Sequence, residues 1–464
     1  MSLGRPEAGK GFVRERVALT IAAAAIVLRI ALAAAAVSTQ GIETLHAPDS
    51  PGYLEPAWEM LQTGTFSRDG VPEIVRTPGY PLLLLPGMFV DHLAAWTVLL
   101  QALLAGSTVL AVYGLALELF HRRAAVAAAA FYALEPLSVL YTARLLSETL
   151  FTACLTWGLF LLARLAGRRD DPFQDLRGTA ACAGGLLSLA ALVRPMAYPI
   201  ALAVGLSAAW FALRRSAPPA TRWSPVLLLT ATALVPVLLW QARNAVVADY
   251  GGLAAIVDVN SYFYQGASTD AAVQGVPFYQ QQAELGYHDV EIYLARNPEQ
   301  RSWSPARRFD YMGSTGLARV LAHPWVYLGI HLRGMARVAV DPGGVEYLRL
   351  FGAYPTHGGL LGRVVDQGLW ATLLHVFHER PGLLLTETLF GGFLAGIYLL
   401  VARGGMLATP RSQRAWMLCV VVAGFLWFAS GGPQSLSRFR HPIMPLLCTL
   451  AGAGLAARKE EAES

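Results

Sequence analysis

Apolar residues in this chain come in long runs separated by polar stretches. The runs cover residues 17–37, 93–119, 124–140, 147–166, 179–193, 196–213, 224–241, 382–402, 415–430 and 441–457. Each approaches or reaches the roughly 20 residues that an α-helix, rising about 1.5 Å per residue, needs to cross about 30 Å of hydrocarbon; the fifth is marginal. The pattern predicts an all-α polytopic membrane protein of about ten spans, or ten to thirteen if the stretch 318–381 crosses in pairs or folds back. The first run has no small-residue cleavage site behind it and is read as a retained span.

The polar stretches between runs decide the orientation. "HRR" at 121–123, "RLAGRRDD" at 164–171, "RRSAPPATR" at 214–222, "RGGMLATPRSQR" at 403–414 and "RKEE" at 458–461 alternate onto one face, which the positive-inside bias makes cytoplasmic. Two larger segments, 38–92 and 242–381, then lie on the external face. The chain divides into a transmembrane part over 1–241 holding the first external loop, an external or interfacial segment over 242–381 expected on the acceptor side, and a transmembrane part over 382–464. Within the second, "HPWVYLGIHLRGMARVAV" carries His331, Arg333 and Arg337 near its middle. A charge at the bilayer centre costs a few kcal/mol, so an amphipathic helix at the interface is expected there.

Composition agrees: 55% of residues are hydrophobic and 14% charged, against about 25% charged in soluble domains. The formal charge of +5 is carried almost entirely by arginine, and its sorting into loops speaks for a bilayer and against nucleic acid. Cys154, Cys182, Cys419 and Cys448 lie in apolar runs without metal-ligand spacing and read as small apolar filler. Gly4, Gly9 and Lys10 have P-loop spacing, but Gly11 replaces the required hydroxyl residue and no strand precedes, so the match is accidental.

The chemistry gathers at the external ends of the runs. "LHAPDSPGYLEPAWEMLQTG" at 45–64 follows the first run. Ser50 and Pro51 suggest an N-cap and first helical position. Tyr53, Leu54, Ala57, Trp58 and Leu61 repeat at helical spacing up to Gly64, and Pro56 should bend or delay this short amphipathic helix. Asp49 precedes it, where the helix dipole favours an ionised carboxylate. On these facts alone it reads as a capping acid on a solvated loop. Other ionisable residues converge on the same face: Arg76 in "VRTPGYP", Ser147 and Glu148 in "LLSETLF", Arg194 in "LVRPMAYP", Arg243 and Asn244 in "WQARN", and Arg438 and Arg440 in "SLSRFRHP". A lone arginine at a span end is usually a snorkelling anchor. So many, placed against the positive-inside bias, call for another explanation.

With "PDSPGYLEPAWEMLQTG", "RTPGYP", "LSETLF", "WQARN" and "SRFRHPIMP" in this order, the chain resembles the GT-C glycosyltransferases, in the branch of the protein O-mannosyltransferases and the bacterial lipid A aminoarabinose transferases. The resemblance implies a many-span enzyme taking a sugar from a polyprenyl-phosphate donor, outside the cytoplasm, with inversion. The first-loop acid regarded as catalytic maps onto Asp49. Many relatives carry an Asp-Glu pair there, whereas this chain has Asp49-Ser50, so Glu148, or else Glu55, is the candidate second acid, and a divalent metal stays open.

The expected chemistry is general-base attack by an acceptor hydroxyl, with Asp49 as base and Arg76, Arg243, Arg438 and Arg440 holding the departing phosphate. Tyr53, Glu148, Arg194 and Asn244 support the site. The acceptor is a lipid, glycan or protein, and the expected location is a bacterial inner membrane with the site on its periplasmic face. "HVFHE" (His375, His378, Glu379) has neither zinc-protease order and reads as an interfacial helix face. Asp258, Asn260, Tyr262 and Tyr264 suit a sugar-contacting loop but are equally ordinary at an interface. A lipid-linked glycan flippase or secondary transporter is the alternative; it should carry charges and broken helices near the midplane rather than at span ends. A non-catalytic scaffold on the same fold is a third reading.

Overall fold

The computed structural model describes residues 8–167, 176–213, 219–355 and 367–457. Gly4 of the accidental P-loop match, residues 458–461 and parts of the arginine-rich loops at 164–171 and 214–222 lie outside them. The described chain is almost wholly helical. Its helices are α1 (Ala8–Gln40), α2 (Pro51–Thr63), α3 (Gly79–Phe89), α4 (Leu93–Leu119), α5 (Arg122–Leu134), α6 (Pro136–Ala143), α7 (Glu148–Gly167), α8 (Leu176–Val193), α9 (Tyr198–Leu213) and α10 (Pro219–Ala248). Short helices follow: α11 (Ile256–Asn260), α12 (Ala267–Gln274), α13 (Phe278–Glu284), α14 (Val290–Arg296), α15 (Pro305–Ala322), α16 (Pro324–Val340), α17 (Gly344–Leu350) and α18 (Leu369–Glu379). The chain closes with α19 (Pro381–Leu407), α20 (Gln413–Ala429) and α21 (Met444–Ala456). Among the described residues the strands are Ser67–Arg68 and Val71–Pro72, an antiparallel pair with Ser67 opposite Pro72.

Six helices among the described residues are long and apolar enough to cross a membrane: α1, α4, α7, α8, α10 and α19. The run expected at 124–140 is two helices, α5 and α6, bent by 48° at Glu135–Pro136. Pro136 has no amide hydrogen to continue the ladder. Arg29 of α1, fully buried, donates to the carbonyls of Tyr132 and Ala133 at the end of α5 and to Ser138 Oγ at 2.6 Å. The Glu135 side chain accepts from the amides of Leu137 and Ser138 at the start of α6. A cation thus meets carbonyls and an anion meets amides, as the helix dipoles require. The runs expected at 196–213 and 441–457 open instead in short 3₁₀ turns at Pro195–Ala197 and Ser437–Ile443, which leaves α9 and α21 shorter.

At one end of the bundle the end of α4 meets parts of two of the arginine-rich stretches, 164–171 and 403–414. Arg411 donates to the carbonyl of Leu117, the amide of Arg411 meets the carbonyl of Leu119, and Arg164 pairs with Glu118. The other end collects the starts of α7 and α21, the end of α8, the first large loop and the 249–355 segment. That segment builds its own aromatic core from Tyr262, Phe263, Tyr293 and Met312, with Tyr264, Phe278 and Tyr287 packed against it.

Candidate active site

The loop before α2 is sewn onto the turn that starts α7. The amide of Leu145 bonds the carbonyl of Leu45 at 2.9 Å, and Arg144 reaches the carbonyls of Thr44 and His46. Ser50 is fully buried, but it does not cap the helix as expected. Its Oγ accepts from the amide of Ala47 at 2.9 Å and donates to the carbonyl of Leu145 at 2.8 Å, while its backbone is already helical. Pro51 takes the first helical position and Gly64, at φ 73°, ends the helix as expected. Pro56 is accommodated within α2.

The "RTPGYP" turn docks on the end of α8. Thr77 Oγ1 donates to the carbonyl of Val193, and a Cβ on Gly79 would stand 2.7 Å from the carbonyl oxygen of Leu192, so only glycine allows the approach. Arg76 and Arg194 are thereby brought to one place. Glu73, buried, accepts from the amides of Val75 and Arg76 and fixes that strand of the loop.

These elements close a ring of polar groups around Asp49. Asp49 Oδ2 lies 2.8 Å from Arg438 Nη1, and Oδ1 lies 3.3 Å from Arg76 Nη2. Arg76 Nη1 donates to Tyr53 Oη at 3.4 Å, with its guanidinium 4.8 Å above that ring. Tyr53 Oη is 3.2 Å from Ser147 Oγ, which accepts from Arg194 Nε at 2.9 Å. Arg194 Nη2 pairs with Glu148 Oε1, and the ring closes through Arg438 Nε, 3.9 Å from the same oxygen. Three guanidinium groups face two carboxylates, which leaves one positive charge in excess. Glu148 is fully buried and its Oε2 has no hydrogen-bond partner among the described residues, whereas Asp49 is 33% exposed and open to a ligand.

The electrostatics follow from this packing. Burial alone would raise the pKa of Asp49, but the charges of Arg438 and Arg76 outweigh it and hold the carboxyl at about 2. Burial would likewise lower Arg438 and Arg76. Asp49 and Glu148 overcome this at Arg438, and Tyr53 and Asp49 do so at Arg76, so both stay charged above their ordinary value.

Asp49, Tyr53, Arg76, Glu148, Arg194 and Arg438 therefore come together, and three other expected site residues do not. Arg243 spends its donors on the carbonyls of Glu73 (2.7 Å) and Phe66 (2.6 Å), bracing the loop behind Arg76 rather than facing Asp49. Asn244, buried, holds the carbonyls of Gly252 and Leu253. Arg440 is buried and donates to the carbonyls of Val338 and Asp341, closing the C-terminus of α16. Backbone carbonyls engage both guanidinium groups, and neither is paired with Asp49. Glu55 pairs with Arg68 at 2.7 Å, and the second acid beside Asp49 is Glu148.

The ring also contains Ser147, whose only sequence signal was its place before Glu148. From the 249–355 segment, Asp258 accepts from Tyr250 Oη and Tyr262 is buried in the aromatic core. A π-helical turn at Ser261–Gly266 presents Tyr264, whose hydroxyl pairs with Tyr287 Oη at 2.6 Å. Its phenol is pushed up by burial, then by Tyr287, with a further push from the Asp49 charge.

Among the described residues no three His, Cys, Asp or Glu side chains gather as a metal site needs. Both ring carboxylates are engaged by guanidinium groups and the ring is already cationic, so its donor set does not fit a divalent metal. His375 and His378 lie on α18 without such a group; the side chain of Glu379 lies outside the described residues.

A many-helix bundle with charged groups gathered at the end of its spans, under a large first loop, is a fold like that of solved membrane oligosaccharyltransferases. Residues 77–240 match the family model of dolichyl-phosphate-mannose-protein mannosyltransferases, a stretch that includes Glu148 and Arg194. Among solved structures, the archaeal oligosaccharyltransferase AglB from Archaeoglobus fulgidus, in complex with an inhibitory peptide and a dolichol-phosphate, aligns with TM-score 0.50 and 16% identity. The alignment covers 96% of this chain and 50% of that one. ArnT from Cupriavidus metallidurans, bound to undecaprenyl phosphate, aligns at 16% identity over 92% of this chain and 76% of that one, with TM-score 0.36. The chain spans about half the length of the oligosaccharyltransferases it matches. No curated protein matches the sequence.

Proposed function

We propose that this protein transfers a sugar from a polyprenyl-phosphate donor to an acceptor hydroxyl on the external face of a bacterial inner membrane. The observation that carries the reading is the ring itself: an accessible carboxylate, Asp49, set between guanidinium groups with one positive charge in excess. Asp49 accepts the acceptor's hydroxyl proton as the new bond forms at the anomeric carbon. The bond from that carbon to the phosphate breaks, and its electron pair leaves with the phosphate. One displacement of this kind inverts the anomeric centre. Arg438, Arg76 and Arg194 stabilise the growing phosphate charge by charge-assisted hydrogen bonds. Support comes from the family match and from the dolichol-phosphate held by AglB, whose fold this chain shares.

The test is transfer by the purified protein from a panel of polyprenyl-phosphate sugars to envelope glycolipid, glycan and peptide fractions, read by mass spectrometry. Product should form with the wild type and drop by about 10²–10⁴-fold in Asp49→Asn. Near-normal turnover by that variant rejects Asp49 as base. Movement of the donor across liposomes without covalent transfer selects a transporter instead.

A further inference from the structure

Both oxygens of Asp49 are engaged by the arginines that a lipid phosphate would need: Oδ2 by Arg438 Nη1 at 2.8 Å and Oδ1 by Arg76 Nη2 at 3.3 Å. In the free protein the base is therefore occupied. We infer that Asp49 and the lipid phosphate share Arg438 and Arg76 by exchange, the arginines passing from the carboxylate to the phosphate as the carboxylate takes up the acceptor's proton. This rests on reading the ring as the site of a lipid-phosphate donor.

The charge count argues for exchange rather than simple addition. A sugar phosphodiester carries one negative charge, which cancels the one in excess on the ring. When the glycosyl–phosphate bond breaks, the lipid phosphate becomes a monoester carrying about two. The acceptor's proton neutralises Asp49 in the same step. Glu148 and the phosphate then balance the three arginines, so the site is neutral before and after. It stays well paired throughout only if Arg438 and Arg76 follow the charge from Asp49 to the phosphate.

Two further observations fit. The carboxyl of free Asp49 lies near 2, a poor proton acceptor while both arginines hold it. Arg194 is tied to Ser147 and Glu148 and does not touch Asp49, so part of the cationic wall stays fixed while the other two change partners. The charged and titratable groups around Asp49 are Arg438, Arg76, Arg194, Glu148, Tyr53 and Tyr264.

The experiment uses the purified full chain with undecaprenyl phosphate, the leaving group without its sugar, as the probe. Binding is measured for the wild type, Asp49→Asn, Arg438→Gln and the double variant. Calorimetry in buffers of different ionisation enthalpy counts the protons bound. Exchange predicts that Asp49→Asn binds the lipid about tenfold more tightly, and that this gain disappears in the Arg438→Gln background. It also predicts that the wild type takes up a proton on binding that Asp49→Asn does not. Equal tightening in both backgrounds means a long-range charge effect and overturns the inference, as does unchanged affinity with equal proton uptake. The proton count on the wild type decides the matter if a variant fails to fold. Absence of binding by the folded wild type rejects the lipid-phosphate reading itself.

Discussion

The loop that carries Asp49 and the segment that carries Tyr264 are held by different forces. Residues 41–92 are stitched to the bundle by directional polar bonds: Ser50 to Leu145, Arg144 to His46, Arg243 to Phe66 and Glu73, Thr77 to Val193. The segment over 256–322 is held by its own aromatic packing, with Tyr262, Phe263, Tyr293 and Met312 at its centre. Polar stitching fixes positions to fractions of an ångström, which arginines facing a phosphate require. An aromatic module offers flat surfaces and phenol hydroxyls that can be altered without disturbing that frame. From this contrast we propose that the first region takes the donor's phosphate and the second the acceptor.

The strongest way to break this division is through the arginines. Arg438→Gln should lower transfer by about 10²-fold with little loss of stability, because the side chain faces the ring. Arg440→Gln, two residues away, should instead lower the melting temperature, because it uncaps α16. If the two variants behave alike, the assignment of these neighbours is wrong. Ser50→Ala should come next: removing a fully buried hydroxyl that both accepts and donates costs about 1–3 kcal/mol, read as a lower melting temperature. Tyr264→Phe should raise the acceptor's KM a few-fold while undecaprenyl phosphate binds as before; a change in lipid affinity instead would move Tyr264 to the donor side. The smallest expected effect is that of chelation. Since the ring does not fit a divalent cation, EDTA should leave undecaprenyl phosphate binding unchanged, and a loss reversed by added magnesium would contradict the donor set.

Much of the fold was legible because hydrocarbon imposes length and polarity on a helix directly. Seven of the ten apolar runs appear as long helices or as the bent pair α5 and α6, and the rest as shorter helices. The break in that pair was not legible. It depends on Arg29, more than a hundred residues earlier in the chain, reaching the open carbonyls of α5. Asp49, Arg76, Glu148, Arg194 and Arg438 could be picked out because an ionisable residue at a span end has a cost that demands a use. The same rule singled out Arg243 and Arg440, which lie outside the ring, since sequence reveals that a guanidinium is present but not that backbone carbonyls engage it. Ser50 was read as a cap from its place before a proline, yet its partner is the carbonyl of Leu145, on a segment separated from it in the chain by five helices.

The composition of the ring also bears on how the protein is made. A chain synthesised from its N-terminus has Asp49, Tyr53, Arg76, Ser147, Glu148 and Arg194 in place before α9 begins, whereas Arg438 arrives just ahead of the last helix. Until then two arginines face two carboxylates, and the nascent site has no surplus charge with which to attract a lipid phosphate. The Ser437–Ile443 turn delivers that surplus, so on the proposed reading a chain inserted only as far as α20 would not attract the donor. On the proposed reading, competence for a lipid phosphate then depends on the arrival of Arg438 and not on the earlier helices.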